Sequence, residues 1–200
     1  PRKPSVYSNQ FQFNRDSVQT YWQATNATLA KQGFESLRAI GGTYADSTRE
    51  FYYAKSKEYG YIRISACTFG TGSSGVKLRE LDSILAYFGP IRGLLIDIRF
   101  NQGGGDRFVF GVAGRFVDKG RVGYYRYRRR KRSGYTDFVK LTTFRLRPKG
   151  KYQFTKRPIA LLTNDRTVSA GDNLALIMHP LPNVRLVGEN TEGSFDMFRF

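Results

Sequence analysis

Apolar and polar residues follow two different periodicities from residue 59 onward. Short, nearly continuous apolar runs predict buried strands over 59–64, 93–99, 158–163 and 184–188. Between them, apolar residues recur at every third or fourth position, which predicts helices over 76–88, 106–117 and 169–178. Strands that alternate with helices in this way predict an α/β fold, with a largely parallel sheet and flanking helices.

The first 58 residues follow another pattern and carry no recognisable chemical motif. Apolar residues at helical spacing predict a helix over 16–37, with Gly33 near its end, and residues 51–54 resemble a short strand. We therefore predict an N-terminal helical or accessory segment over 1–58 and a catalytic core over 59–200.

Basic residues outnumber acidic ones, at 33 Lys and Arg against 16 Asp and Glu, which gives a net charge of +17. Six of the seven residues over 126–132 are basic, and Tyr124, Tyr125 and Tyr127 are interleaved with them. Such a segment suits nucleic-acid phosphates and bases, or it forms a solvated hairpin within a β-rich stretch over 123–146. We favour the hairpin and predict no nucleic-acid partner, because no nucleic-acid-binding motif lies nearby.

Cys67 is the single cysteine, which excludes an intrachain disulfide and a cysteine-based zinc site. Its place in an apolar run favours a buried structural thiol over a reactive one. We predict no metal and no cofactor. The sequence also lacks any apolar stretch of the roughly 18 residues that a membrane-spanning helix needs.

Two predicted strands end in segments that suit catalysis. After 93–99 come Gly103, Gly104 and Gly105 at the start of a helix, where backbone N–H groups can hold an anion or an oxyanion. The same glycines also suit a plain connection. After 158–163, Ser169 begins a helix, either as its N-cap or as a nucleophile with the Ala170 N–H facing the same carbonyl oxygen.

Three motifs in this order resemble the tail-specific, or C-terminal-processing, serine peptidase family, in its tricorn-core-like and Bacteroidetes-type forms. They are DIRFNQGG from Asp97, TVSAGD from Thr167 and GENTEG from Gly188, and the resemblance covers residues 59–195. It implies a ClpP/crotonase-like core and a serine endopeptidase without a cofactor, acting on peptides or proteins. It also implies a periplasmic, secreted or lipid-anchored location.

The resemblance assigns the site residue by residue. Ser169 takes the place of the nucleophile, and the N–H groups of Gly103, Gly104 and Ala170 take that of the oxyanion hole. Processing members of the family carry a lysine base directly after Thr-x-Gly, where this chain has Ser194. The resemblance to tricorn-like members instead implies an upstream histidine and a downstream glutamate, which we expect outside these 200 residues.

The single histidine, His179, does not fill the place of the base. It follows Ser169 by ten residues, which is roughly 15 Å of helix rise, and we predict a structural role for it. The alternative function is a catalytically inactive module that binds a peptide or small ligand on the same fold. Side-chain preference and oligomeric state cannot be derived from the sequence.

Overall fold

The computed structural model describes residues 15–40, 51–67, 74–130 and 136–194. Within them, the helices are α1 (Arg15–Lys31), α2 (Ser74–Phe88), α3 (Asp106–Ala113) and α4 (Ala170–Met178). The strands are β1 (Arg38–Ile40), β2 (Phe51–Lys55), β3 (Tyr59–Ile64), β4 (Gly93–Asp97), β5 (Arg121–Arg129), β6 (Phe138–Leu146), β7 (Ile159–Thr163) and β8 (Val184–Gly188). No helix among these residues is long and apolar enough to cross a membrane.

Six strands form one sheet in the order β1-β2-β3-β4-β7-β8. The neighbours from β3 to β8 are parallel, whereas β1 and β2 are antiparallel additions at one edge. Parallel neighbours need crossover connections, and α2, α3 and α4 lie in those connections. The predicted α/β fold with a largely parallel sheet and flanking helices is confirmed.

The core lies between this sheet and the helices. Alternate residues of the central strands point into it, among them Ile62, Ile64, Leu94, Ile96 and Leu161, each at most 1% exposed. Burying one such side chain stabilises the fold by about 1.5–3 kcal/mol. This packing fixes the register of β3, β4 and β7, and with it the places where these strands end.

The sheet continues across the boundary predicted at residue 58. Phe51 of β2 lies opposite Ile64 of β3, and its fully buried side chain belongs to the same core. The N-terminal part therefore contributes two strands as well as a helix. Helix α1 ends at Lys31, earlier than predicted, because the chain turns at Gly33 with a φ of 76°.

Helix α3 is also shorter than the prediction over 106–117. It ends at Ala113, and Gly114 packs so closely that a Cβ there would lie 2.8 Å from the backbone oxygen of Arg147. The next side chain, Arg115, is buried and donates two hydrogen bonds of 2.8 Å to the Asp82 carboxylate on α2. The long-range contacts of Gly114 and Arg115 end the helix, although the apolar periodicity continues.

Candidate active site

The glycine turn and Ser169 meet at the carboxyl ends of β4 and β7. These two strands are parallel neighbours, so the segments that follow them leave the sheet side by side. Gly103 lies directly against the serine, since a Cβ at Gly103 would be 2.5 Å from Ser169 Cβ and 2.9 Å from Ser169 Oγ. Gly103 also has a φ of 84°, so both space and backbone conformation require glycine here.

Ser169 has a backbone conformation that residues other than glycine seldom adopt. Its φ is 56° and its ψ is −120°, at the residue that immediately precedes α4. The serine occupies the N-cap position, but its hydroxyl makes no capping hydrogen bond and the residue is exposed. A sharp, strained turn from a strand to a helix is the setting that presents a nucleophilic serine in other hydrolases.

The backbone N–H groups of the turn differ in availability. The Gly103 N–H donates to Asn101 Oδ1 at 2.8 Å, so the intramolecular bond takes up a donor that the sequence analysis assigned to the oxyanion hole. Among the described residues, the N–H groups of Gly104 and Ala170 donate to no protein acceptor. Two of the three predicted donors are therefore available to an incoming oxygen.

Asn101 links three segments around the site. Its fully buried side chain donates from Nδ2 to the Ile64 oxygen at 2.8 Å and accepts the Gly103 bond through Oδ1. Its backbone oxygen accepts the N–H of Val168, the residue before Ser169, at 2.9 Å. One side chain and its own backbone thus connect the end of β3, the glycine turn and the approach to Ser169.

A second set of bonds joins the loops after β4 and β7. Thr167 Oγ1 donates to the Ile98 oxygen at 2.9 Å, and the Phe100 N–H donates to Asn164 Oδ1 at 2.9 Å. Thr167 is fully buried and Asn164 nearly so. Because buried polar groups are costly when unpaired, these bonds fix the two loops against each other.

Cys67 supports the glycine turn through its backbone. Its N–H donates to the Gly103 oxygen and its own oxygen accepts the Gly105 N–H, each at 2.7 Å. The thiol is fully buried, which confirms the predicted buried cysteine. Within the described ranges, no group of three or more His, Cys, Asp or Glu residues could hold a metal ion.

The Asp-x-Arg part of the first motif stabilises the end of β4. The fully buried Asp97 carboxylate accepts bonds from the Tyr61 hydroxyl at 2.7 Å and from Arg99 Nε at 2.8 Å. Burial, together with this carboxylate, raises the pKa of Tyr61. The Arg99 guanidinium also lies over the ring of Tyr21, so α1 packs onto the strand end beside the site.

The third motif lies alongside the start of α4. The Gly193 N–H donates to Asp172 Oδ1 at 2.9 Å, and the Glu192 N–H donates to the Thr167 oxygen at 3.0 Å. Ser194, at the position of the family's lysine, is exposed and donates from its hydroxyl to the Glu192 carboxylate. The structure thus brings the third motif to the site, with a serine where processing members have a base.

His179 lies at the other end of α4. It is the C-cap residue of the helix that begins directly after Ser169, and it is exposed. Helix α4 therefore separates the imidazole from the serine, in agreement with the distance that the sequence predicted.

Asp106 is a residue of the site that the sequence analysis missed. Its carboxylate accepts bonds from Asn173 Nδ2 at 2.8 Å, the Tyr124 hydroxyl at 3.0 Å and Arg126 at 3.2 Å. Burial and the Asp106 carboxylate raise the pKa of Tyr124 to about 12. The only signal in the sequence is an acid in the first turn of a helix after three glycines, which does not indicate these partners.

Comparison with known proteins places this geometry in a family. Residues 58–198 match peptidase family S41. A protein from Parabacteroides merdae, whose structure was assigned as a peptidase, is 25% identical with a TM-score of 0.69, over 85% of this chain and 50% of that one. Mature CPAF in complex with lactacystin is 14% identical with a TM-score of 0.58, over 99% and 48%.

The photosystem II D1 C-terminal processing protease is 20% identical with a TM-score of 0.51, over 80% of this chain and 36% of that one. The chain thus spans half or less of the length of each of these three structures. No sequence among curated proteins is significantly similar to it. The family match covers more than half of the chain and includes all three motifs, so the chain belongs to peptidase family S41.

Proposed function

We propose that this chain supplies the nucleophile and the oxyanion hole of a serine endopeptidase. The observation that carries the proposal is the setting of Ser169. Its hydroxyl is exposed and makes no capping bond, its backbone is strained, and it lies against the Gly103–Gly104 turn. Membership of family S41 supports hydrolysis of peptide bonds in peptide or protein substrates.

In the proposed reaction, Ser169 Oγ attacks the carbonyl carbon of the scissile bond, and negative charge develops on the carbonyl oxygen. The N–H groups of Gly104 and Ala170 donate to that oxygen, with support from the N-terminal end of the α4 dipole. Loss of one such donor costs on the order of 3 kcal/mol of transition-state stabilisation. The substrate lies as an extended strand beside the sheet, with this carbonyl over the glycine turn.

A base must accept the Ser169 proton and pass it to the leaving amine, after which water hydrolyses the acyl-enzyme. Ser194 and His179 do not fit this role, for the reasons of chemistry and position given above. We propose that the base comes from a part of the protein outside the described residues, as the resemblance to tricorn-like members implies.

Covalent labelling by a fluorophosphonate probe tests the proposal. The wild-type protein should be labelled, and Ser169→Ala should abolish the labelling because it removes the attacking oxygen. Ser83→Ala, which removes an exposed serine hydroxyl from α2, is the matched control and should leave labelling unchanged. Equal labelling of the wild-type protein and Ser169→Ala, or no labelling of either, would sink the proposal.

A non-catalytic peptide-binding module is the second candidate. Ser194 favours it, because this position holds no base and its hydroxyl already donates to Glu192. In that case the probe should not react, but peptides should still bind, and Gly103→Ala should weaken binding by closing the turn against Ser169. Labelling of Ser169 would exclude this candidate.

We also propose that the protein acts as a tail-specific peptidase in the periplasm, outside the cell or anchored to its envelope by lipid. The resemblance to the processing peptidases is the only support for this location. Fractionation of the source cells, followed by detection with an antibody, would test it, and recovery in the cytosolic fraction alone would contradict it.

A further inference from the structure

The hairpin of β5 and β6 has a face for which the proposed chemistry gives no role. Residues opposite one another in an antiparallel pair share a face, and the register, with bulges at Gly123 and Leu141, places six such residues together. They form what we call the outer face, with aromatic Tyr125, Tyr127 and Phe138 and basic Arg129, Lys140 and Arg145.

The outer face is exposed and carries charge of one sign. Tyr125, Tyr127 and Phe138 are 48%, 54% and 54% exposed. Strands β5 and β6 contain six arginines and lysines and no aspartate or glutamate. Large exposed apolar side chains among charges of one sign are typical of a surface that contacts a partner of the opposite charge.

The inner face attaches the hairpin to the candidate active site. Tyr124 and Arg126 donate to Asp106, the first residue of α3, which also accepts a bond from Asn173 on α4. The rings of Tyr124 and Phe144 stack with centroids 4.6 Å apart, which fixes the base of the hairpin. The hairpin is therefore bound to both helices that begin at the glycine turn and at Ser169.

We propose that the outer face docks an extended, acidic segment of the polypeptide substrate. Carboxylates of that segment pair with Arg129, Lys140 and Arg145, and its apolar side chains contact the exposed aromatic rings. This inference rests on the proposed function, because the docked polypeptide is the one that Ser169 cleaves. In the part of the chain that the structure describes, β5 and β6 pair only with each other, so an added strand can bond to an outer edge.

A polypeptide fits this face better than a nucleic acid does. A stacking platform for bases needs open aromatic faces. The Lys140 ammonium lies 3.8 Å from the centroid of the Tyr125 ring and covers one side of it. The exposed Leu141 adds aliphatic surface at the bulge, which suits apolar side chains of a peptide.

Fluorescence anisotropy of a fluorescein-labelled peptide with alternating glutamate and leucine tests the proposal. The protein carries Ser169→Ala throughout, so that cleavage does not affect binding. The combined variant Arg129→Gln, Lys140→Gln and Arg145→Gln should raise Kd at least about tenfold at roughly 50 mM salt. Lys31→Gln, Lys57→Gln and Lys156→Gln, at exposed positions elsewhere, remove the same charge and should change Kd less than about twofold.

Several outcomes would overturn the proposal. Equal weakening by both triple variants would mean that net charge alone attracts the peptide, and equal binding of the glutamine version would remove the role of the carboxylates. Tighter, outer-face-dependent binding of oligouridylate or of phosphatidylserine vesicles would assign the face to RNA or to a membrane. Circular dichroism and thermal melting of each variant confirm that it is folded.

Fluorophosphonate labelling separates this inference from the proposed function. The outer-face variant with Ser169 restored should be labelled like the wild-type protein, because none of its substitutions touches the nucleophile or the oxyanion hole. Intact labelling with unchanged peptide binding would refute docking alone. Lost labelling in the wild-type protein, with peptide binding that still depends on the outer face, would refute the peptidase and with it the claim that the peptide is a substrate.

Discussion

Ser169 and Gly103 each hold a backbone conformation with positive φ, and their side-chain and backbone atoms touch. A non-glycine residue in such a conformation costs about 1–3 kcal/mol, which the surrounding bonds must offset. Val168 on one side of the serine is bonded to Asn101, and the Asn173 N–H donates to the Ser169 oxygen at 3.1 Å. The strain is therefore held by both the loop and the helix.

Replacing Ser169 by glycine should relieve that strain. Compared with Ser169→Ala, which keeps a Cβ at the same φ, Ser169→Gly should raise the free energy of unfolding by about 1 kcal/mol. Urea denaturation of the two variants measures the difference. A less stable Ser169→Gly would mean that the serine backbone is not strained and that glycine contributes only its larger unfolded-state entropy.

At the scale of elements, the site depends on where three parallel strands end. The apolar runs of β4 and β7 and the periodicity of α4 predict the segments that carry Gly103 and Ser169, so most of the site could be predicted from local pattern and motif. The predicted N-terminal helical segment omitted β1 and gave only a tentative strand for β2, because their position depends on pairing with β3 and not on their own sequence.

Asn101 should contribute strongly to stability because it joins elements distant in sequence. Asn101→Ala removes the bonds to the Ile64 oxygen and the Gly103 N–H, leaves both groups buried without that partner, and should lower the free energy of unfolding by about 3 kcal/mol. Gln102→Ala, at an exposed position in the same turn, is the control and should change it by less than about 0.5 kcal/mol. Urea denaturation measures both, and similar values for the two variants would refute the linking role.

The letter of the motif shows that an asparagine stands at 101, but not what it bonds. Its three partners come from β3, from the glycine turn and from the loop before α4, and only the folded chain brings these together. Asp106 illustrates the same limit more strongly, because its hairpin partners Tyr124 and Arg126 follow it by about a helix and a turn. Hydrogen bonds at long sequence separation leave no periodic signal.

At the scale of the whole molecule, two tyrosine hydroxyls that donate to carboxylates link stability to alkaline pH. Burial and Asp97 raise the pKa of Tyr61, and burial and Asp106 raise that of Tyr124 to about 12. A tyrosine whose pKa is higher in the folded state keeps its proton after the unfolded chain has lost it. Its stabilising contribution is therefore complete below about pH 10 and decreases as the pH rises further.

The free energy of unfolding should accordingly fall between about pH 9.5 and 11.5. Tyr61→Phe removes one of the two groups and should make this fall less steep, although it lowers stability at neutral pH through loss of the bond to Asp97. Tyr125→Phe, at an exposed position of the hairpin, is the control and should keep the wild-type slope. Denaturation curves at several pH values give the slopes, and identical slopes for all three proteins would contradict the linkage.

The central claim is that Ser169 is the nucleophile and that Gly104 and Ala170 form the oxyanion hole. A crystal structure of the fluorophosphonate adduct tests both parts in one measurement. We predict a phosphorus atom bonded to Ser169 Oγ, with the phosphoryl oxygen about 2.7–3.1 Å from the backbone nitrogens of Gly104 and Ala170. A phosphonyl group on another residue, or a phosphoryl oxygen that points away from both N–H groups, would contradict the claim.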